Sequence, residues 1–288
     1  MRVVLSPNPF RDRGLKGAQS AQKILRNVGI ETAICLPFDL DGGSKIELPR
    51  NLTYEKMEQA LPGADLLICF GGDGTILHAA KDADVYGVPI LGVNMGSVGF
   101  MAELEYSELS QLAKLADGKY YTEERMMLDA TVYRDKKPVF RETALNDAAL
   151  TKGAVARVVE LKISCDNMQM SEFSGDGVVV STPTGSTGYS MAAGGPIVEP
   201  TAENLIITPI CAHAMDAKSF VLSSERVVSI RLGRLTRKTA YLSVDGGRAF
   251  RLQDGDVAEI RKSASVTRLA RLSGRTFYEI LAKKFKRT

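Results

Sequence analysis

The stretch LLICFGGDGTILHAA, residues 66–80, puts one carboxylate, Asp73, among three glycines, Gly71, Gly72 and Gly74. An apolar run stops there and a helical pattern begins. Glycines let backbone N–H groups come close to an anion, and a following helix N-terminus favours negative charge. A phosphate is the natural guest. A carboxylate beside phosphates is repelled unless it holds a metal ion or takes a proton from a hydroxyl, and both are roles in phosphoryl transfer. The plainer alternative is a tight turn in which Asp73 caps a helix beginning at Thr75. The chain contains no G-x-x-x-x-G-K-[ST] P-loop and no G-x-G-x-x-G dinucleotide fingerprint, which counts against both of those classes.

Three further stretches carry polar groups beside apolar runs. GVNMGSVGF, residues 92–100, is a second glycine turn after a buried strand, and Asn94 lies in it. Two such turns at the ends of two strands could line one crevice. SGDGVVVSTPTGSTGYSMAAGGPIV, residues 174–198, is richer. Its hydroxyls and glycines suit a loop that hydrogen-bonds a polar ligand while Tyr189 offers a flat apolar face; a plain surface loop is the alternative. Asn146-Asp147 sets an amide and an acid side by side in an otherwise apolar strand. Neighbouring strand residues point to opposite faces, so both reach a ligand only if the strand ends there.

The elements that would position these residues fall into two textures. Up to about residue 121, short apolar runs alternate with helical patterns. Strands are expected at 3–6, 32–36, 64–70 and 88–94, and helices at 18–27, 54–61, 75–82 and 108–116, with Ser107 as an N-cap. Continuous apolar runs indicate strands buried on both faces, and the β-α alternation indicates a parallel sheet flanked by helices. From about Met126 the period becomes two: Val159, Leu161, Ile163 and Cys165 alternate with Glu160, Lys162, Ser164 and Asp166. Further strands are expected at 128–134, 139–151, 178–182, 205–210, 227–232, 240–244 and 257–262. Many short strands between turn signals suggest an all-β sandwich. Residues 277–285 return to a helix, with Phe277, Ile280, Leu281 and Phe285 on one face and Lys283, Lys284 and Lys286 solvated. The domains are expected at 1–124, 125–265 and 266–288.

The 288 residues carry a formal net charge of +3. That is too small to indicate nucleic acid, and no Lys/Arg patch interleaved with aromatics appears. The apolar start is too short for a signal peptide. The most apolar window, 87–102, is broken by Asn94, Ser97 and glycines, short of the ~20 apolar residues of a membrane span. The expectation is a cytoplasmic protein. Cys35, Cys69, Cys165 and Cys211 form no C-x-x-C and are read as reduced thiols. Two histidines, His78 and His213, do not suggest a protein-made zinc site.

GGDGT, GVNMGSVGF, LND and DGVVVSTPTGSTGYSMAAGGPI, in this order, resemble the bacterial NAD kinases, from Val3 to FYEIL near the end. GGDG alone is shared with lipid kinases and phosphofructokinases; STPTGSTGYS is much more specific. The resemblance implies an α/β domain, a β-sandwich domain and a final segment that returns to the first. It implies transfer of the γ-phosphoryl of ATP, or of polyphosphate, to the adenosine ribose 2′-hydroxyl of NAD. It also implies Mg²⁺ or Mn²⁺, expected to arrive with the donor phosphates, and a homodimer or homotetramer. By motif, Asp73 is catalytic, Gly74 is its neighbour at the dinucleotide phosphates, and Gly72 is a further nucleotide-binding residue. His78 and Asn94 are nucleotide contacts, Asn146 and Asp147 bind NAD, and Asp176 precedes an apolar strand. Thr187, Gly188, Tyr189 and Ser190 surround the adenosine. Three positions depart from the family pattern. The acid after Asn146 is Asp147 where Glu is usual, so its contact can become water-mediated. Gly247 stands where Gln is frequent, and Gly188 where Ala is common. The alternatives are a lipid kinase sharing the GGDGT turn and a catalytically idle NAD(P)-binding sensor.

Overall fold

The computed structural model is described for residues 1–38, 46–96, 99–153, 157–214, 217–235 and 238–286. Ser97 and Val98 of the second glycine turn lie outside these residues. The chain divides into two units: Met1–Glu124 with Thr267–Thr288, and Arg125–Val266.

The first unit is built on strands β1 (Arg2–Pro7), β2 (Glu31–Ile34), β3 (Leu66–Gly71) and β4 (Ile90–Asn94), all parallel, in the order β4-β3-β1-β2. Every residue of β3 and β4 is buried, as their unbroken apolar runs require of strands covered on both sides. Helices α1 (Lys16–Asn27), α2 (Met57–Ala60) and α3 (Asp73–Tyr86) connect them. The chain steps from β1 outward to β2 and then crosses to β3 on the other side. The carboxyl ends of β1 and β3 therefore flank a switch point, where open α/β sheets bind ligands. Leu5, Leu25, Ile68, Phe70, Leu91 and Leu112 share one core cluster. Leu269 of the late strand Val257–Arg271 pairs in parallel with Ile90.

Two expectations for this unit need correction. The helix at 54–61 is one turn long, because Lys56 is extended and Tyr54 is held by its hydroxyl on the Pro49 carbonyl. The element at 108–116 is a 3₁₀ helix, Tyr106–Asp117. It is capped by a Glu105–Glu108 capping box, with Ser107 inside it.

The second unit is a β-sandwich. One layer is a six-stranded sheet, Phe220–Ser223, Asn204–Ile210, Gly177–Ser181, Asp147–Lys152, Ala240–Val244 and Phe250–Leu252, antiparallel throughout. The other layer includes Met168–Gly175, Val159–Cys165 and Val228–Leu232. Leu161 and Ile163 from one layer and Val178, Val180, Leu205 and Leu242 from the other meet in one buried cluster. The two-residue period of Val159–Cys165 is the pattern expected of such a wall. The single strand expected at 139–151 is two, Lys137–Ala144 and Asp147–Lys152. The break falls at Leu145-Asn146. Among the described residues no helix is long and apolar enough to cross a membrane.

Candidate active site

In the first unit, a cavity of about 250 Å³ opens at the carboxyl ends of β1, β3 and β4. It is lined by Arg11, Gly71, Gly72, Asp73, Gly74, Asn94, Gly96, Gly99 and Lys284. The two glycine turns thus share one crevice. Gly72 precedes α3 in an extended conformation with no side-chain cap, and Asp73 is the first helical residue. The helix therefore starts two residues earlier than expected, and Asp73 caps nothing on it. Its carboxylate instead accepts from the backbone N–H groups of Phe100 (2.8 Å) and Met101 (3.1 Å). A side chain on Gly99 would run into that carboxylate, so the chain must be bare there for the two to meet. Asn94 is buried. It bonds Glu105 Oε2 at 2.8 Å and closes its turn through Gly96 at both ends of its amide. Asn8, just after β1, donates to the Thr75 hydroxyl at 3.2 Å, linking the loop of Arg11 to the start of α3.

His78 is exposed and is absent from the cavity wall. Its ring stacks on Phe38 at 6.0 Å between centroids. Lys284 lines the cavity, where the sequence suggests a solvated lysine. The inner face of the terminal helix Phe277–Phe285 carries Phe277, Ile280 and Lys284, and Phe285 turns outward at 54% exposure. Among the described residues no group of three or more His, Cys, Asp or Glu side chains could hold a metal ion. Cys35 and Cys69 are buried, which pushes both thiols up to about 12, whereas Cys211 is exposed.

In the second unit, Asn146 and Asp147 sit at the break between the two strands. Asp245, on the turn after Ala240–Val244, makes that break. Its carboxylate accepts from the backbone N–H groups of Leu145 (2.8 Å), Asn146 (2.8 Å) and Asp147 (3.0 Å). Thr182 takes the other side: its N–H donates to the Asn146 carbonyl at 2.8 Å and its hydroxyl to the Leu145 carbonyl. Gly185 presses so closely on the Asn146 carbonyl that any Cβ there would overlap it. The strand ends where the amide and the acid stand, so alternation no longer separates them. Asp147 is only 7% exposed. Burial, then the nearby Asp245 carboxylate, push it up to about 7.

Tyr189, 41% exposed, opens a short helix, Tyr189–Ala192, after Gly188. Burial raises its phenol, and Asp147, Cys211 and Asp176 add to the rise, so both carboxylates lie within electrostatic reach of its hydroxyl. Asp176 is ion-paired to Lys152 at 2.7 Å. Thr187 bonds the Thr184 carbonyl, and the buried Ser190 hydroxyl is engaged by Thr208 at 2.9 Å. The Asn146 side-chain oxygen is buried and has no hydrogen-bond partner among the described residues. Gly247 closes its turn by donating to the Val244 carbonyl. Arg11, Lys284, Thr182 and Asp245 carry no signal of a site role in the sequence; Asp245 stands there only at the head of an Asp-Gly-Gly turn pattern, residues 245–247.

The chain matches the ATP-NAD kinase N-terminal domain over residues 18–120 and the ATP-NAD kinase C-terminal domain over 145–272. It is 39% identical over 288 residues to the NAD kinase of Caldanaerobacter subterraneus subsp. tengcongensis, covering 98% of each chain. It is 34% identical to that of Acetivibrio thermocellus, covering 99% of this chain and 96% of the other. Among solved structures, the yeast NADH kinase complexed with NADH has the same fold at TM-score 0.82 and 24% identity, over 98% of this chain and 85% of that one. The NAD kinase from Archaeoglobus fulgidus in complex with ATP aligns over all of both chains at TM-score 0.73 and 22% identity. With two family models side by side and relatives matched from end to end, the chain belongs to the NAD kinase family.

Proposed function

We infer that this protein is an NAD kinase that phosphorylates NAD to NADP with ATP as donor. Beyond the family itself, one observation carries the reading. Asp73 is fixed by two backbone N–H groups at the mouth of a cavity walled by glycines and two cations. That arrangement suits chemistry in which positioning and charge stabilisation dominate. In the first unit, Gly72, Gly74 and Asn94 would frame the donor phosphates, with polyphosphate able to replace ATP. Asp73 would orient the adenosine ribose 2′-hydroxyl or accept its proton. The new O–P bond forms as the bond from the γ-phosphorus to the β–γ bridging oxygen breaks, and ADP leaves. A divalent cation would be carried by the donor phosphates, since Mg²⁺ keeps waters and substrate oxygens as ligands.

In the second unit, Asn146, Asp147, Asp176, Thr187, Gly188 and Ser190 would hold NAD, with Tyr189 against its adenosine. The unpartnered Asn146 oxygen supports this assignment, because a buried acceptor without a donor is rare in a finished structure. His78 is assigned no role, being turned onto Phe38. We also propose a homodimer or homotetramer.

The test is purified protein with NAD, Mg²⁺ and either ATP or polyphosphate, assayed for NADP, beside ATP with a lipid diol. NADP formation is expected. Saturable NAD binding with no NADP from any donor would support a sensor instead, and phosphorylation of the diol would support a lipid kinase.

A further inference from the structure

We propose that Lys284, on the terminal helix, is a donor-binding residue that holds the phosphate chain of the donor in the cavity beside Asp73; this rests on the kinase reading. Three observations meet there. First, Lys284 lines the cavity with Asp73 and the glycine turns, although it lies 211 positions further along the chain. Second, its ammonium is placed. Nζ stands 4.0 Å from the centroid of the Phe100 ring, and the backbone N–H of Phe100 donates to Asp73. Phe277, seven residues before Lys284 and on the same helical face, has its ring 6.2 Å from that of Phe100. The lysine and the acid are thus registered on one residue. Third, its charge is unpaired among the described residues. Neighbouring Lys283 has Glu105 at 3.8 Å, whereas no described carboxylate lies within ion-pair distance of Lys284 or of Arg11 across the same cavity.

A lysine that served only the packing of the helix would gain by meeting a carboxylate. An aromatic face attracts the cation but leaves its three N–H donors free. The cavity wall then offers two cations against one carboxylate, with glycines among the other lining residues. This is the charge pattern that a polyanion such as a triphosphate requires. Lysine suits the role as a compact, mobile point charge on a phosphate.

The experiment compares Lys284→Met, which keeps the stem over Phe100, with Lys284→Arg, which keeps the charge. Lys286→Met, on the exposed end of the same segment, is the control. Each is assayed for kcat and KM with ATP varied and with NAD varied. Binding of inorganic tripolyphosphate is measured separately by calorimetry at low salt, with melting temperature as the check on folding. For Lys284→Met, kcat/KM for ATP and tripolyphosphate affinity should both fall about 10–100-fold, as for the loss of one charged hydrogen bond. The KM for NAD should stay within about threefold, and Lys284→Arg should recover most of the loss. The inference is overturned if Lys284→Met keeps its ATP kinetics within about threefold, if Lys286→Met loses as much, or if wild-type protein does not bind tripolyphosphate. If wild-type protein makes no NADP, the kinase reading fails, and the tripolyphosphate arm still decides whether Lys284 holds phosphates.

Discussion

Asp73 and Asp147 are both aspartates at a strand end beside glycine-rich chain, and the protein surrounds them with opposite charges. Asp73 is half-buried at the end of a parallel strand, faces two backbone N–H donors and shares its cavity with Arg11 and Lys284. Asp147 is buried in an antiparallel sheet, and the nearest charge that acts on it is another carboxylate, Asp245. The same side chain therefore stands among backbone N–H donors and positive side chains in one unit. In the other it holds its proton up to near neutral pH. The difference lies in the fold. A parallel switch point opens helix ends and loops toward the acid, whereas a strand break in a sandwich closes sheet around it.

The sharpest way to break this comparison is Asp73→Asn. The amide keeps the shape but cannot accept a proton, so NADP formation should fall about 10²–10⁴-fold, with NAD binding within a few-fold. Both Asp73 oxygens face N–H donors, so the new NH₂ must turn toward one of them. The variant should also lose about 1–3 kcal/mol of stability. Initial rates, NAD titration and a melting curve measure all three effects. A turnover loss under tenfold would make Asp73 a structural clasp for Phe100 and Met101.

On the other side, Tyr189→Ala should weaken NAD binding by ~1–3 kcal/mol, the usual worth of an aromatic–base stack, and leave tripolyphosphate binding unchanged. Unaltered NAD affinity would mean that the half-exposed ring does not meet the adenosine. A third effect, on stability and not on turnover, concerns Asp147 and pH. Its folded value of about 7 lies above the ordinary 3.8, so the folded protein holds the proton more tightly than the unfolded chain. The stability this contributes is full below about pH 4 and is lost as pH rises toward 7. Asp147→Asn should remove a slope of up to about 1.4 kcal/mol per pH unit in that window. Denaturant midpoints from pH 4 to 8 measure it, and parallel curves for the two proteins would show that Asp147 ionises normally.

What the sequence displays depends on how local the cause is. The buried parallel strands were legible because Leu66–Gly71 and Ile90–Asn94 are unbroken apolar runs, and the sandwich was legible from the alternation in Val159–Cys165. Lysine at 284 reads as solvated because its partner, the Phe100 ring, is remote in sequence. The strand break at Leu145-Asn146 is also invisible locally, since the carboxylate that makes it belongs to Asp245, about a hundred positions on. The two N–H groups that hold Asp73 could not be read from side-chain types, being backbone.

The first unit draws on both ends of the chain, which has a consequence for synthesis. Residues 125–266 are continuous and hold their sandwich core among themselves. The first unit leaves the ribosome earlier but lacks the strand segment beside Ile90. It also lacks Ala270 in its core and Arg271, which forms a buried ion pair with Glu103 at 3.2 Å. Contacts across such a span are closed late, because the loop entropy must be overcome before they reward it. The earlier-made half is therefore finished last. A nascent chain halted after Val266 can complete its sandwich, yet it has no lysine to set above Phe100 and no phosphate cavity of the final charge.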